Sequence, residues 1–204
     1  MIITHHPMIF SPLRTIRDDD FIGKRVIRLI ENRINLYAMH TNFDAAVMGK
    51  LCAERLNIRF LKPLAPVCIP AEGDPENNGI GIVGIPETPV SLRDLSRAVK
   101  TAFDLPEVRY YGDPEKNITK IAMCPGSGKS LMDEVINECP DVYLTGDVDH
   151  HFALDMLEKG VAVIDAGHHG LEHVFVDYMM NYMRDHMPDI ECYADENHSP
   201  FNVV

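Results

Sequence analysis

The alternation of apolar and polar positions predicts an α/β protein. Short apolar runs rich in Val and Ile alternate with segments in which apolar residues recur every three or four positions. This pattern is typical of strands that alternate with helices in a largely parallel or mixed sheet. In the first part of the chain, Ile2 and Ile3 predict a short strand, residues 19–33 a helix and residues 36–39 a second strand. A second predicted helix begins at Asp44, its expected N-cap, and runs to about Leu56.

The remaining two thirds of the chain predict a second series of strands and helices. A capping pattern, Ser91-Leu-Arg-Asp94, opens a predicted helix that runs to Phe103. Another predicted helix stops at Gly160, and a last one covers about residues 170–186. The predicted strands are residues 80–85, 108–111, 118–123, 142–144 and 161–164.

A run of prolines supplies the expected domain boundary. Pro63, Pro66, Pro70 and Pro75 predict an irregular crossing between two interlocked α/β lobes, residues 1–62 and 63–204. The last helix is a candidate to return to the first lobe.

Composition narrows the class of protein and of partner. The 204 residues carry a formal net charge of -12, which disfavours direct binding to nucleic acid because that relies on clustered Lys and Arg. Five cysteines without CxxC spacing argue against a disulfide framework and favour the reducing cytoplasm. The sequence contains no apolar run of the roughly 20 residues that a membrane helix needs. We therefore expect a cytoplasmic protein without a membrane partner.

Histidine is concentrated in adjacent pairs. Six of the ten histidines form three pairs. A single histidine at a strand end is more often an ordinary hydrogen-bonded residue, but the histidines recur beyond the carboxyl ends of four predicted strands, where ligands bind in open α/β sheets. The residues at these positions are His5 with His6, His40, Asp147 with His150 and His151, and Asp165 with His168 and His169.

The donor types favour a dinuclear metal centre. His168 and Glu172 have i, i+4 spacing, which places imidazole and carboxylate on one helical face, although an acidic residue near a helix N-terminus is also explained by the helix dipole. A mixed nitrogen and oxygen set without thiolate suits Zn, Mn, Fe, Ni or Co, and two ions sharing a carboxylate favour hydrolysis. The candidate ligands are His5, His6, Asp44, His168 and Glu172.

Two glycine motifs are interpreted as weak. Gly79, Gly81 and Gly84 match GxGxxG, but they fall within an apolar strand and not between a strand and a helix, so no dinucleotide cofactor is expected. Residues 126–130, GSGKS, follow a strand, but Met123 stands where a full P-loop needs glycine. An anion contact is compatible with this loop, and a P-loop phosphotransferase is the most distant hypothesis.

The segments IITHHP, MHTNFDAA, GSGKS and DVYLTGDVDHHFALDMLEKGVAVIDAGH, followed by Glu172, resemble the Nif-three-like family over nearly the whole chain. Its members are called GTP cyclohydrolase I type 2 homologs or dinuclear metal centre hexameric proteins. The resemblance implies two divalent metal ions held by the five candidate ligands, with Glu172 bridging. The usual histidine of the family's TGD segment corresponds to His151, which is therefore the candidate for a pocket base or a substrate contact, with Asp147 and His40 as weaker catalytic candidates.

The same resemblance implies a homohexamer, a trimer of dimers, that acts on a small molecule. We expect a metal-dependent hydrolase of a nucleotide-like or phosphorylated substrate; the alternative is a non-enzymatic toroid for metal binding, storage or scaffolding. Family members have another αβ segment before the strand that leads to His5, so the sequence is expected to be a truncated form. The stretch between Asp44 and Thr145 is too short for the extra central domain of some relatives.

Overall fold

The computed structural model describes residues 1–67 and 77–196. Spatial contacts divide the chain into two compact units, residues 1–43 and 44–204. The division lies before the prolines that the sequence suggested as a boundary, and the last helix belongs to the second unit. Pro70 and Pro75 lie outside the described residues.

The first unit contains a two-stranded parallel sheet and one full helix. Strand β1 (Ile2–Thr4) pairs with β2 (Leu36–Ala38), and helix α1 (Phe21–Glu31) connects them. The helix begins where the Asp20 carboxylate accepts a hydrogen bond from the Gly23 amide at 2.8 Å. A short helical turn, α2 (Thr41–Phe43), ends the unit.

The second unit opens with a π-helix, Asp44–Met48, that continues into α3 (Gly49–Arg55). The prediction that Asp44 caps this helix was wrong, because the three residues before it are already helical. A π-helical turn is rare and occurs often at functional sites. It places Asp44 within a helix, not at its end.

A six-stranded mixed sheet forms the centre of the second unit. Its strand order is β3-β4-β8-β9-β10-β6. The three strands β8, β9 and β10 are parallel, whereas β3, β4 and β6 pair antiparallel with their neighbours. Of the two expected arrangements, largely parallel or mixed, the sheet has the mixed one, with its parallel strands in the middle. The strands of this unit, including the small antiparallel pair β5 and β7, are β3 (Ile58–Pro66), β4 (Gly79–Pro86), β5 (Val90–Ser91), β6 (Arg109–Tyr111), β7 (Asn117–Ile118), β8 (Ile121–Ser127), β9 (Val142–Gly146) and β10 (Ala162–Asp165).

Two local predictions in this unit were wrong. Pro63 and Pro66 belong to β3 and not to an irregular crossing. They are tolerated because β3 is the edge strand of the sheet, where a missing amide breaks no interior ladder. The single strand expected over residues 118–123 is divided between β7 and β8, with Thr119 and Lys120 between them.

The helices of the second unit follow the predicted order. The Ser91 cap is confirmed, because its hydroxyl accepts a hydrogen bond from the Asp94 amide at 3.1 Å. The last predicted helix is two helices, and the first of them begins earlier, at His168. The helices are α4 (Leu92–Ala102), α5 (Met132–Glu138), α6 (His150–Glu158), α7 (His168–Glu172) and α8 (Val174–His186), with a 3-10 turn at Lys129–Leu131.

The core of the second unit surrounds the parallel strands. Every residue of β9 and β10 is buried. Tyr143 of β9 packs with Phe152 and Met156 of α6 in one hydrophobic cluster. These strands therefore give rigid support to the loops at their carboxyl ends. None of the helices within residues 1–67 and 77–196 is both long and apolar enough to cross a bilayer.

Candidate functional site

The first unit brings three imidazoles together. The ring centroids of His5 and His6 lie 4.8 Å apart, and His40 lies 5.4 Å from each of them. His5 and His6 follow β1, and His40 follows β2, so the parallel pairing of these two short strands sets the triangle. Imidazole is a common ligand of transition metals, so these rings are candidate donors.

The second unit brings together an imidazole and two carboxylates where β9 and β10 end. His168 Nδ1 lies 2.7 Å from Asp147 Oδ2, and His168 Nε2 lies 3.1 Å from Glu172 Oε2. Asp147 directly follows β9, and His168 begins α7 after β10. The Glu172 side chain is only 11% exposed, whereas that of Asp147 is 54% exposed. One ring therefore contacts a buried and an exposed carboxylate.

The electrostatics of this group favour positive charge. The hydrogen bond with Glu172 raises the pKa of His168 to about 9; partial burial opposes this, and the hydrogen bond with Asp147 adds to it. The two carboxylates stabilise a cation at the imidazole, whether it is a proton or a metal ion.

A glycine provides space beside the same group. Gly126, the second-last residue of β8, has φ of +76°, and a Cβ built on it would meet Glu172 Oε1 and lie 3.4 Å from His168 Nε2. The loop that follows is fixed from β9: Thr145 Oγ1 donates to the Gly126 carbonyl at 3.2 Å and accepts from the Gly128 amide at 2.9 Å. Lys129 of the GSGKS segment forms an ion pair with Asp149. Backbone, not side chain, therefore forms this wall of the site.

Two buried cysteines lie close to the carboxylates. Burial raises the pKa of Cys124 to about 12, and the negative charges of Asp44 and Glu172 act in the same direction. Burial likewise raises the pKa of Cys52, and Glu172 adds to this effect. Without a bound ion, both thiols stay protonated at neutral pH. The side chains that contact His168 in this unit are the carboxylates of Asp147 and Glu172.

The aspartate at the end of β10 fixes the turn into α7. Asp165 is buried, its Oδ1 accepts from the Gly167 amide at 3.1 Å, and its Oδ2 forms an ion pair with Arg109 at 3.0 Å. Burial raises the pKa of Asp165, and the hydrogen bond and Arg109 oppose that shift. Asp165 lies at the end of a strand, as predicted. Its side chain, however, holds the backbone of the turn in place and does not contact the candidate donors named above.

Comparison with known proteins gives the family. The family model described as Duf34/NIF3 (NGG1p interacting factor 3) matches residues 1–200. The chain belongs to the Duf34/NIF3 family. It is 37% identical over 172 residues to the GTP cyclohydrolase 1 type 2 homolog of Clostridium acetobutylicum, with 84% of this chain and 63% of that relative covered. The Clostridium perfringens protein of the same name is 34% identical over 207 residues, with 100% and 78% covered.

The fold is that of solved NIF3 structures. The Bacillus cereus protein related to NIF3 matches with a TM-score of 0.85 at 21% identity, covering 100% of this chain and 83% of that one. The predicted α/β class with a mixed sheet is thus confirmed. The chain spans 63% of the length of the Clostridium acetobutylicum relative.

The remaining predicted residues of this NIF3-family chain lie on a neighbouring helix. His151 is exposed in the first turn of α6, and its ring lies 5.3 Å from that of His150. Asp149 caps this helix by accepting from the Phe152 amide at 3.0 Å. The role of His151 in handling protons stays a prediction.

Sequence reasoning missed the part that Gly126 plays. The GSGKS segment contributes to the family resemblance and is compatible with an anion contact, but neither interpretation predicts that its first glycine lies against Glu172 and His168. One sequence signal could have identified this role of Gly126. It is a glycine near the carboxyl end of a buried parallel strand, when histidines and carboxylates follow two neighbouring strands. The GxGxxG glycines lie within β4, as predicted.

Proposed function

We propose that this NIF3-family chain binds two divalent metal ions through His5, His6, Asp44, His168 and Glu172. The observation that carries the proposal is the His168–Glu172 pair at 3.1 Å, a nitrogen and an oxygen donor with no side chain on Gly126 beside them. Imidazole and carboxylate suit Zn, Mn, Fe, Ni or Co, and none of the five proposed ligands is a cysteine.

The donor geometry in each unit supports this assignment. The first unit groups the His5, His6 and His40 rings within 5.4 Å of one another. The second unit holds Glu172 nearly buried against His168, so its carboxylate is already desolvated and oriented. A donor that is ordered before binding loses less conformational entropy when the ion arrives.

We further propose that the metal centre hydrolyses a small nucleotide-like or phosphorylated molecule. Bound divalent ions polarise a substrate oxygen and make water more acidic. The chain's own residues would hold these ions through Glu172 and His168 and move protons at the His151 ring. The name GTP cyclohydrolase 1 type 2 homolog, carried by two relatives, makes GTP the first substrate to test.

Activity of reloaded protein tests this function. Full chain stripped with a chelator and restored with Zn, Mn, Fe, Ni or Co is assayed on GTP and on a panel of phosphorylated small molecules. We expect turnover only after reloading, and at least a ~100-fold loss in Glu172→Ala, since removing a ligand disables a metal site. Bound metal without turnover on any substrate would contradict the hydrolase and favour the metal-binding scaffold. The hexameric assembly implied by the family resemblance and the cytoplasmic location inferred from cysteine usage stay predictions.

A further inference from the structure

Asp147 has a backbone conformation that helix termination does not explain. Among the described residues, five that are not glycine have positive φ. Asp147, with φ of 56°, is the one that follows a strand. Aspartate and asparagine adopt this region more readily than other residues with a side chain, so an aspartate suits this position. The other four each follow a helix: Arg33, Asn57, Asp104 and Cys139.

The conformation brings the Asp147 carboxylate to one imidazole nitrogen. Asp147 Oδ2 lies 2.7 Å from His168 Nδ1, the nitrogen that faces away from Glu172. Gly146, the preceding residue, lets the two segments approach, because a Cβ there would lie 2.5 Å from the His168 amide nitrogen. Thr145 holds the Gly126–Gly128 loop on the other side of the strand end. Each residue of the Thr-Gly-Asp segment thus contacts a different part of the site.

We propose that Asp147 is a positioning residue for His168 and not a catalytic base. It accepts the hydrogen from Nδ1, which fixes the ring orientation and leaves Nε2, 3.1 Å from Glu172 Oε2, as the nitrogen for the metal ion. A carboxylate bonded to the far nitrogen of a metal-binding imidazole fixes its tautomer and increases its basicity. The inference rests on the proposed metal centre and deepens it.

Three variants of the full chain separate positioning from a merely structural role. Asp147→Gly removes the carboxylate and relieves the positive φ, so its fold is not strained. Asp147→Asn keeps the shape and tolerates this conformation but loses the charge. Asp155→Asn, on the exposed face of α6, is the control with the same change of charge.

The measurements are Zn²⁺ affinity against a competing chelator, the visible absorption spectrum of Co²⁺-loaded protein, and the urea midpoint. We expect Asp147→Gly and Asp147→Asn to bind Zn²⁺ about 10- to 100-fold more weakly, the range found when such outer partners are removed. The Co²⁺ spectrum should shift in both, while Asp155→Asn matches the wild type. The urea midpoint of each variant shows how much of its loss comes from the fold and how much from the site.

The outcomes distinguish this inference from the function on which it rests. Zn²⁺ affinity within twofold of the wild type in both Asp147 variants, with an unchanged Co²⁺ spectrum, would overturn the positioning role alone. Weaker binding accompanied by an equal fall in Asp155→Asn would also overturn it, since net charge would then be the cause. A wild-type chain that binds no metal would overturn the proposed metal centre and this inference together.

Discussion

Gly126 shows, at the scale of single residues, how a missing side chain shapes the candidate site. Its backbone lies against Glu172 and His168, the two donors that the second unit brings into contact. A side chain at this position would compete for the same space. The candidate site thus depends on a residue with no functional group of its own, as well as on the proposed ligands.

The space at Gly126 leads to a matched pair of substitutions. Gly126→Ala combines the cost of an L residue at positive φ, about 1–2 kcal/mol, with a clash against Glu172. Gly160→Ala carries a similar φ of +80° but meets nothing within 4 Å, so it measures the backbone cost alone. We expect Gly126→Ala to lower the free energy of unfolding by at least about 1 kcal/mol more than Gly160→Ala in urea titrations. Equal losses of unfolding free energy in the two variants would contradict this prediction, because the Glu172 side chain would then move aside without destabilising the fold.

Residue chemistry was the part of the site that sequence predicted best. The histidines and carboxylates were identifiable because their donor types recur at strand ends. The hydrogen bond from His168 to Asp147 was not, because it needs a positive φ at Asp147 and a close approach at Gly146. Neither the backbone angle nor the close approach leaves a repeating apolar pattern in the sequence.

At the scale of elements, the division between β7 and β8 has a specific cause. The Asp141 carboxylate, just before β9, accepts hydrogen bonds from the Thr119 amide at 2.7 Å, the Thr119 hydroxyl at 2.8 Å and the Lys120 amide at 2.9 Å. These amides bind a side chain and not a neighbouring strand, so the ladder is interrupted there. The apolar pattern alone predicts one strand over residues 118–123. It carries no information about a hydrogen-bonding side chain, such as Asp141, that lies more than 20 residues away.

Asp141 also predicts a dependence of stability on pH. Partial burial raises its pKa, but the hydrogen bonds from Thr119 and Lys120 outweigh burial, so the pKa lies below its ordinary value. A carboxyl with a lowered folded pKa stabilises the fold above its unfolded pKa of about 3.9, and this contribution is lost as pH falls through the folded value.

We therefore expect Asp141→Asn to lower the free energy of unfolding at pH 7 by about 1–2 kcal/mol, as for hydrogen bonds to a charged group. In urea titrations at successive pH values, the difference from the wild type should shrink below about pH 4. Asp155→Asn, exposed on α6, serves as the control and should show little change at either pH. A difference that is constant from pH 7 to pH 3 would contradict the assignment to the charged carboxylate.

Elements with strong local signals were predicted well. Helix α4 begins at its Ser91 cap, and the fully buried runs of β9 and β10 are strands. The π-helix at Asp44 and the proline-containing edge strand β3 were not predicted, because both depend on tertiary context. Helical period does not distinguish a π-turn from an α-turn, and proline usually signals a break.

At the scale of the whole molecule, the predicted ligands are divided between the two units. His5 and His6 belong to residues 1–43, and Asp44, His168 and Glu172 belong to residues 44–204. The expected boundary near residue 62 followed the prolines and would have grouped Asp44 with the first two. Contacts, which no local pattern encodes, place the division immediately before Asp44.

Metal quantification on the purified full chain tests the central claim most directly. Elemental analysis by mass spectrometry, with protein concentration from amino-acid analysis, gives the number of divalent ions per chain for the wild type and Glu172→Ala. We expect close to two ions per chain in the wild type and well below one in Glu172→Ala, with both proteins folded by circular dichroism. A folded wild-type chain that stays without bound metal after incubation with Zn, Mn, Fe, Ni or Co would contradict the claim.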